Sequence, residues 1–214
     1  MRYTLLRQDG FKELAINAGV LCESFEPTTG TVDKSKILAL TSGGISFAST
    51  PSFTDNGADV DNCPANTMEL KQLDSREVKL TGTFVSITAS LAARLDAAAD
   101  VEEDGKTVTP RADLSSDDFK ELWLVGDYSD KTGPTKGGAI AIHMLNTLST
   151  GGFQFNTQSK GKGKFPFTFM AHYSMNEPET QPYEIYIAAG EAEAAAASTT
   201  HLTGNGEEAP DETV

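Results

Sequence analysis

Between positions 165 and 174 the chain alternates without a break. Phe165, Phe167, Phe169 and Tyr173 fall on one parity, and Pro166, Thr168, Met170, His172 and Ser174 on the other. A period of two predicts a β-strand with one aromatic face and one small or polar face. The stretch just before it repeats the pattern over a shorter span, with Phe153 and Phe155 flanking Gln154. Between them lies SKGKGK, where Gly161 and Gly163 allow turn conformations closed to other residues. Positions 151–174 therefore read as a β-hairpin with a basic tip, one face toward a core and one toward solvent.

The same reading extends along the chain. Residues 1–13 form a lead-in arm, and 14–25 are apolar enough for a strand that ends at the turn-rich EPTTGTVDKS. After Gly43 and Gly44, Ile45, Phe47 and Phe53 share one parity of a strand whose far end Pro51 places at an edge or bulge. A loop rich in Asp, Asn and Gly follows over 54–67, and 68–75 allow one helical turn. In 76–88, Val78, Leu80 and Phe84 share a face and Val85 and Ile87 take the other, with Gly82 read as a bulge where the inward face switches. Residues 89–100 predict the one good helix: Leu91 and Leu95 lie one turn apart beside Ala92, Ala98 and Ala99, and Thr88 or Ser90 can cap it. An acidic exposed connection spans 101–121, then 121–128 and 138–145 read as strands joined by SDKTGPTKG. A last strand covers 183–187. The expected fold is mainly β, a β-sandwich or barrel with one flanking α-helix over 1–188, followed by a disordered acidic C-terminal tail over 189–214.

Composition narrows the functions. The 214 residues carry 19 Gly, 9 Pro and a net charge of −14. The tail holds Glu191, Glu193, Glu207, Glu208, Asp211 and Glu212 with no Lys or Arg, yet the body is acidic too. A net charge this negative argues against binding a nucleic-acid backbone, whose affinity comes from clustered Lys and Arg. No window resembles a signal peptide or a membrane span, so synthesis in the cytosol and no membrane partner are expected. Cys22 and Cys63 have no framework spacing and read as idle thiols.

No catalytic constellation stands out in the sequence. His143, His172 and His201 are isolated, and the chain has no nucleophile elbow, phosphate loop or HExxH. Asp55, Asp59 and Asp61 suggest calcium, but Val60 and Asn66 stand where an EF-hand wants Gly and Glu. The Asx-rich loop reads as solvated, no metal or cofactor is expected, and the protein reads as a non-enzyme.

Several segments, in order, resemble the major tail (tail tube) proteins of long-tailed bacteriophages and prophages. They are INAGVL, GGISFASTPSFTD, the loop through DNCPANTMELKQLDS, VKLTGTFVSIT with its Ala-rich helix, WLVGDYSDKTG, IAIHMLNTLSTGGFQF and GKGKFPFTFMAHYSM, covering about 14–188. The resemblance implies a β subunit with a flanking helix. Six copies would form a ring, and rings would stack into the hollow tube that conducts DNA during ejection. It also implies virion localisation, tape measure, terminator and baseplate proteins as tail partners, and no catalysis. Alternatives are another tail component of the same fold, a terminator or baseplate tube protein, or a carbohydrate-binding β-sandwich. The acidic tail from about Ala189 departs from the simplest members and is too short for an extra immunoglobulin-like domain.

In a tube, the loop over 54–73, with Asp55, Asp59, Asp61 and Pro64, is expected to order by lying on a neighbouring subunit, having too few apolar groups to fold on itself. Lys160, Lys162 and Lys164 are expected to meet a neighbour's acidic stretch, Glu102-Glu103-Asp104 or Asp117-Asp118. The polar strand parity, with Ser46, Ala48, Thr50, Thr81, Thr83, Thr168 and His172, is expected to face the lumen, where hydroxyls would let DNA slide without gripping its phosphates.

Overall fold

The alternation around Phe165 becomes the centre of one large antiparallel sheet. The computed structural model describes residues 13–128 and 138–188. Residues 1–12 of the expected arm, the SDKTGPTKG segment expected as a hairpin loop and the acidic tail lie outside them. The fold is mainly β, with one α-helix among the described residues. In chain order the elements are β1 (Ala15–Cys22), β2 (Phe25–Glu26), β3 (Thr31–Val32), β4 (Thr41–Asp55), β5 (Lys71–Phe84) and α1 (Ala89–Asp96). There follow β6 (Ala99–Val101), β7 (Val108–Pro110), β8 (Lys120–Tyr128), β9 (Gly138–Ser149), β10 (Phe165–Ala171) and β11 (Tyr183–Ala188).

Seven strands form the main sheet in the order β1-β8-β9-β10-β5-β4, and β11 also pairs with β9. β10 and β11 share one edge of β9 in tandem: Ala171 lies opposite Thr147 and Tyr183 opposite Met144. The expected β-sandwich or barrel takes the form of one large antiparallel sheet that curls. The rings of Phe47 on β4 and Tyr183 on β11 meet at 5.4 Å, although their strands are joined in the pairing order only through β5, β10 and β9. An isolated bridge between Cys22 and Ile37, with Leu38 N–H donating to Leu21 O, ties β1 to the segment leading into β4.

The aromatic parity of β10 is the core, with Phe165, Phe167, Phe169 and Ala171 all buried beside Val78, Leu80 and Phe84 of β5. Here Gly82 is not a bulge. It lies opposite Phe167 in an unbroken register, and a Cβ there would fall 2.6 Å from the Phe167 ring. The glycine lets Phe167 stack on Phe84 at 4.2 Å. The irregularity lies on β4 instead, where Gly43 and Gly44 take φ of +87° and +84° between the Thr41–Phe84 and Ile45–Gly82 pairs. Pro51 does fall on the edge strand β4, where its missing N–H interrupts no second ladder.

The helix is shorter than 89–100. Thr88 caps it, its Oγ1 accepting from Leu91 N–H at 3.2 Å, and Ala97 ends it at φ +70°. Ala99 opens β6 instead, so the acidic connection contains a small β6–β7 hairpin. Leu91 and Leu95 bury against the sheet, and so does Arg94, whose side chain is 6% exposed. Its guanidinium donates to Glu121 O at 2.9 Å, pairs with Glu23 at 3.3 Å and lies over the Phe169 ring. These partners offset the cost of removing the cation from water. The β2–β3 hairpin covers the opposite face at β1, β8 and β9, where Phe25, Trp123, Cys22 and Ala141 form a second cluster. Among the described residues no helix is long and apolar enough to cross a membrane.

The hairpin expected over 151–174 survives only in part. Phe153 and Phe155 lie outside any strand, and a single bridge, Asn156 to Lys164, closes the basic tip. The partner that β10 takes along its whole length is β5. Tyr173 lies past the strand, where its hydroxyl accepts from Arg76 N–H at 3.0 Å on the stretch of β5 that outruns β10.

Candidate functional site

The polar parity of β4, β5 and β10 gathers on one face. Ser46 lies opposite Thr81, and Thr81 opposite Thr168, so three hydroxyl side chains form a row across three strands. The next row is Ala48, Lys79 and Met170; beyond it Thr50 faces Glu77, and on the other side Thr83 faces Pro166. Ser46, Ala48, Thr50, Lys79, Glu77 and Thr81 are exposed, and Thr83 and Thr168 half-buried. Within these rows Lys79 and Glu77 form an ion pair with each other, and Lys164 borders the same face beside Thr83 and Pro166. His172 does not join the rows: its Nδ1 lies 3.1 Å from Asn146 O and its ring packs edge-on against Phe119. Six of the seven lumen candidates thus share one surface, and His172 is held at its margin.

One margin of this face, along β4, is unpaired backbone, and a further free edge lies on β11. β4 has no partner on its outer edge among the described residues, and β11 pairs only with β9. Ile185 and Ile187 of β11 are more than half exposed. Long unpaired edges with apolar side chains are sites of strand addition.

The loop at one end of the strip folds on itself, contrary to the expectation that it needs a neighbour for order. Polar atoms do what apolar ones cannot. The Asp55 carboxylate accepts from Gly57 N–H at 3.0 Å and Asn66 N–H at 2.9 Å, which holds it below the usual carboxylate range. Thr67 Oγ1 donates to Pro64 O at 2.7 Å, and Lys71 Nζ to Asn66 Oδ1 at 2.8 Å. Asn62 and Asn66 take positive φ, a conformation Asn tolerates. Asp59 and Asp61 take no part and are exposed. Among the described residues no group of three or more His, Cys, Asp or Glu is placed to hold a metal. Both cysteines are free: Cys22 is buried, and burial pushes its thiol up to about 11, while Cys63 sits half-buried in the loop.

The basic tip closes the other end. Asn156 and Lys164 exchange both backbone hydrogen bonds at 2.9 Å, and Phe155 stacks on Phe165 at 4.8 Å. Lys160, Lys162 and Lys164 are exposed and make no ion pair among the described residues.

No protein-family model matches this chain, and no curated protein matches its sequence significantly. Sequence reasoning found the hydroxyl row through strand parity. It missed the Lys79–Glu77 pairing, made between two positions on one face of β5, and the unpaired edges, which depend on which strands become neighbours.

Proposed function

We propose that the protein is a non-catalytic structural subunit that self-assembles into rings, and the rings into a tube of the phage tail type through which DNA passes. Six copies per ring is the number the family resemblance supplies. The observation that carries the reading is the hydroxyl face over β4, β5 and β10, in whose rows Lys79 and Glu77 pair with each other and whose β4 margin is an unpaired edge. Pairing the β4 edge of one copy with a neighbour's edge extends the sheet and removes the aggregation hazard of a free strand. The shared face then becomes a wall of hydroxyls. Such a wall displaces no counterions from a passing polyanion and so adds little friction.

Negative-stain microscopy of concentrated protein, with sedimentation at rising concentration, tests this. Rings or tubes are expected; a strict monomer in every condition, including with other tail proteins present, would overturn it. Copy number per virion separates the main tube from a terminator or baseplate ring of the same fold.

A further inference from the structure

The strip of β4, β5 and β10 is electrically asymmetric along its length. Its tip end carries Lys160, Lys162 and Lys164, and its loop end carries Asp59, Asp61 and Glu69, all exposed. None of the six side chains makes a hydrogen bond or ion pair among the described residues. They cannot meet within one copy. The tip adjoins Phe165, which pairs with Phe84, and the loop begins at the Asp55–Lys71 pair. The strand between those levels rises by ~43 Å.

The acidic stretches at 102–104 and 117–118 are largely used locally. Asp104 accepts from Lys106 N–H, Thr107 N–H and Thr107 Oγ1, and Glu102 from Thr109 Oγ1. Asp118 accepts from Ser115 N–H and pairs with Arg111 at 2.5 Å. That leaves one free carboxylate in each stretch, Glu103 and Asp117, against three lysines. The tip is also held in place for docking. The Asn156–Lys164 bridge and the Phe155–Phe165 stack fix it to the sheet, so little order must be gained on contact.

We propose that the Lys160–Lys162–Lys164 tip is a docking surface for a second copy of this chain, stacked end to end, and that it seats on that copy's loop around Asp59 and Asp61. The proposal rests on the ring-and-tube reading and names the contact between successive rings. Each charge pair is weak when exposed, but every copy in a ring repeats it, so the contact sets register and the rate of stacking.

The test is a charge-reversal cycle in the full chain, read by sedimentation and microscopy at low and moderate salt. K160E/K162E/K164E and D59K/D61K are each expected to reduce stacking by at least about tenfold while leaving the melting curve unchanged. The two sets combined are expected to restore stacking to within about threefold of the parent. Truncation after residue 188 is expected to leave stacking intact. If single reversals stack like the parent, or the combined variant does not recover, the proposal fails while the tube reading stands. If truncation abolishes stacking and the combined reversal gives no rescue, the acidic tail is the occupant and the proposal is wrong. A parent chain that never forms rings overturns both.

Discussion

At the loop end of the β4–β5 hairpin, residues 56–70 turn back through polar atoms, with one carboxylate receiving two backbone N–H groups. At the tip end, residues 150–164 are held by rings: Phe155 stacks on Phe165 at 4.8 Å and Phe153 leans on it at 6.1 Å. Both loops are long and both carry charge. One is closed by an ionisable group and the other by aromatic contact. The first kind of order depends on protonation, the second on space for rings to lie flat.

The largest expected effect comes from Phe165, which belongs to both the core and the tip. Phe165→Ala is expected to cost ~3–5 kcal/mol in urea unfolding and to free the tip, while the Asp55 loop keeps its hydrogen bonds. A loss below ~1 kcal/mol would mean that the ring is not the anchor it looks to be.

Two glycines sharpen the point about space. A Cβ at Gly82 would lie 2.6 Å from the buried Phe167 ring, and one at Gly163 would lie 2.7 Å from the exposed Phe155 ring. The clearances are nearly equal, but the consequences should not be. Phe167 is enclosed and cannot move without straining its neighbours, so Gly82→Ala is expected to cost ~1–3 kcal/mol. Phe155 can swing into solvent, so Gly163→Ala is expected to cost less than ~1 kcal/mol globally, with the loss of the Phe155–Phe165 stack visible by NMR. Equal unfolding costs would refute the distinction.

How much of this was legible in the sequence differs between the two ends. The alternation through Phe165, Phe167 and Phe169 gave the central strand, its core face and its hydroxyl face, because a period of two needs no knowledge of partners. The spacing of Phe153 and Phe155 looked like more of the same. Those rings instead pack around Phe165 from an irregular segment, an outcome set by tertiary contact rather than local pattern. The loop end was misread for a related reason. Counting apolar groups suggested a segment unable to order itself, but Asp55 sits at the strand end where its carboxylate reaches two N–H groups at once. Arg94 was overlooked because its partners come from residues 23, 121 and 147, far apart in the chain.

The smallest expected effect separates the two ends most directly. Hydrogen bonds from Asn66 and Gly57 lower the Asp55 pKa from its ordinary 3.8. A depressed carboxylate contributes stability that is present above the unfolded value and lost as pH falls through the folded one. The loop should therefore loosen only below pH 3.8, as the carboxylate takes a proton and stops accepting. The tip stack has no ionisable group in it and should not respond. An NMR titration from about pH 6 to about pH 2 is expected to move the Gly57 and Asn66 amide resonances together while those of the Phe155 and Phe165 rings stay fixed. In Asp55→Ala the amide step should vanish, with the two amides already at their loosened positions at neutral pH. If the step persists in that variant, another carboxylate orders the loop; if the rings shift in parallel, the two ends are not held independently.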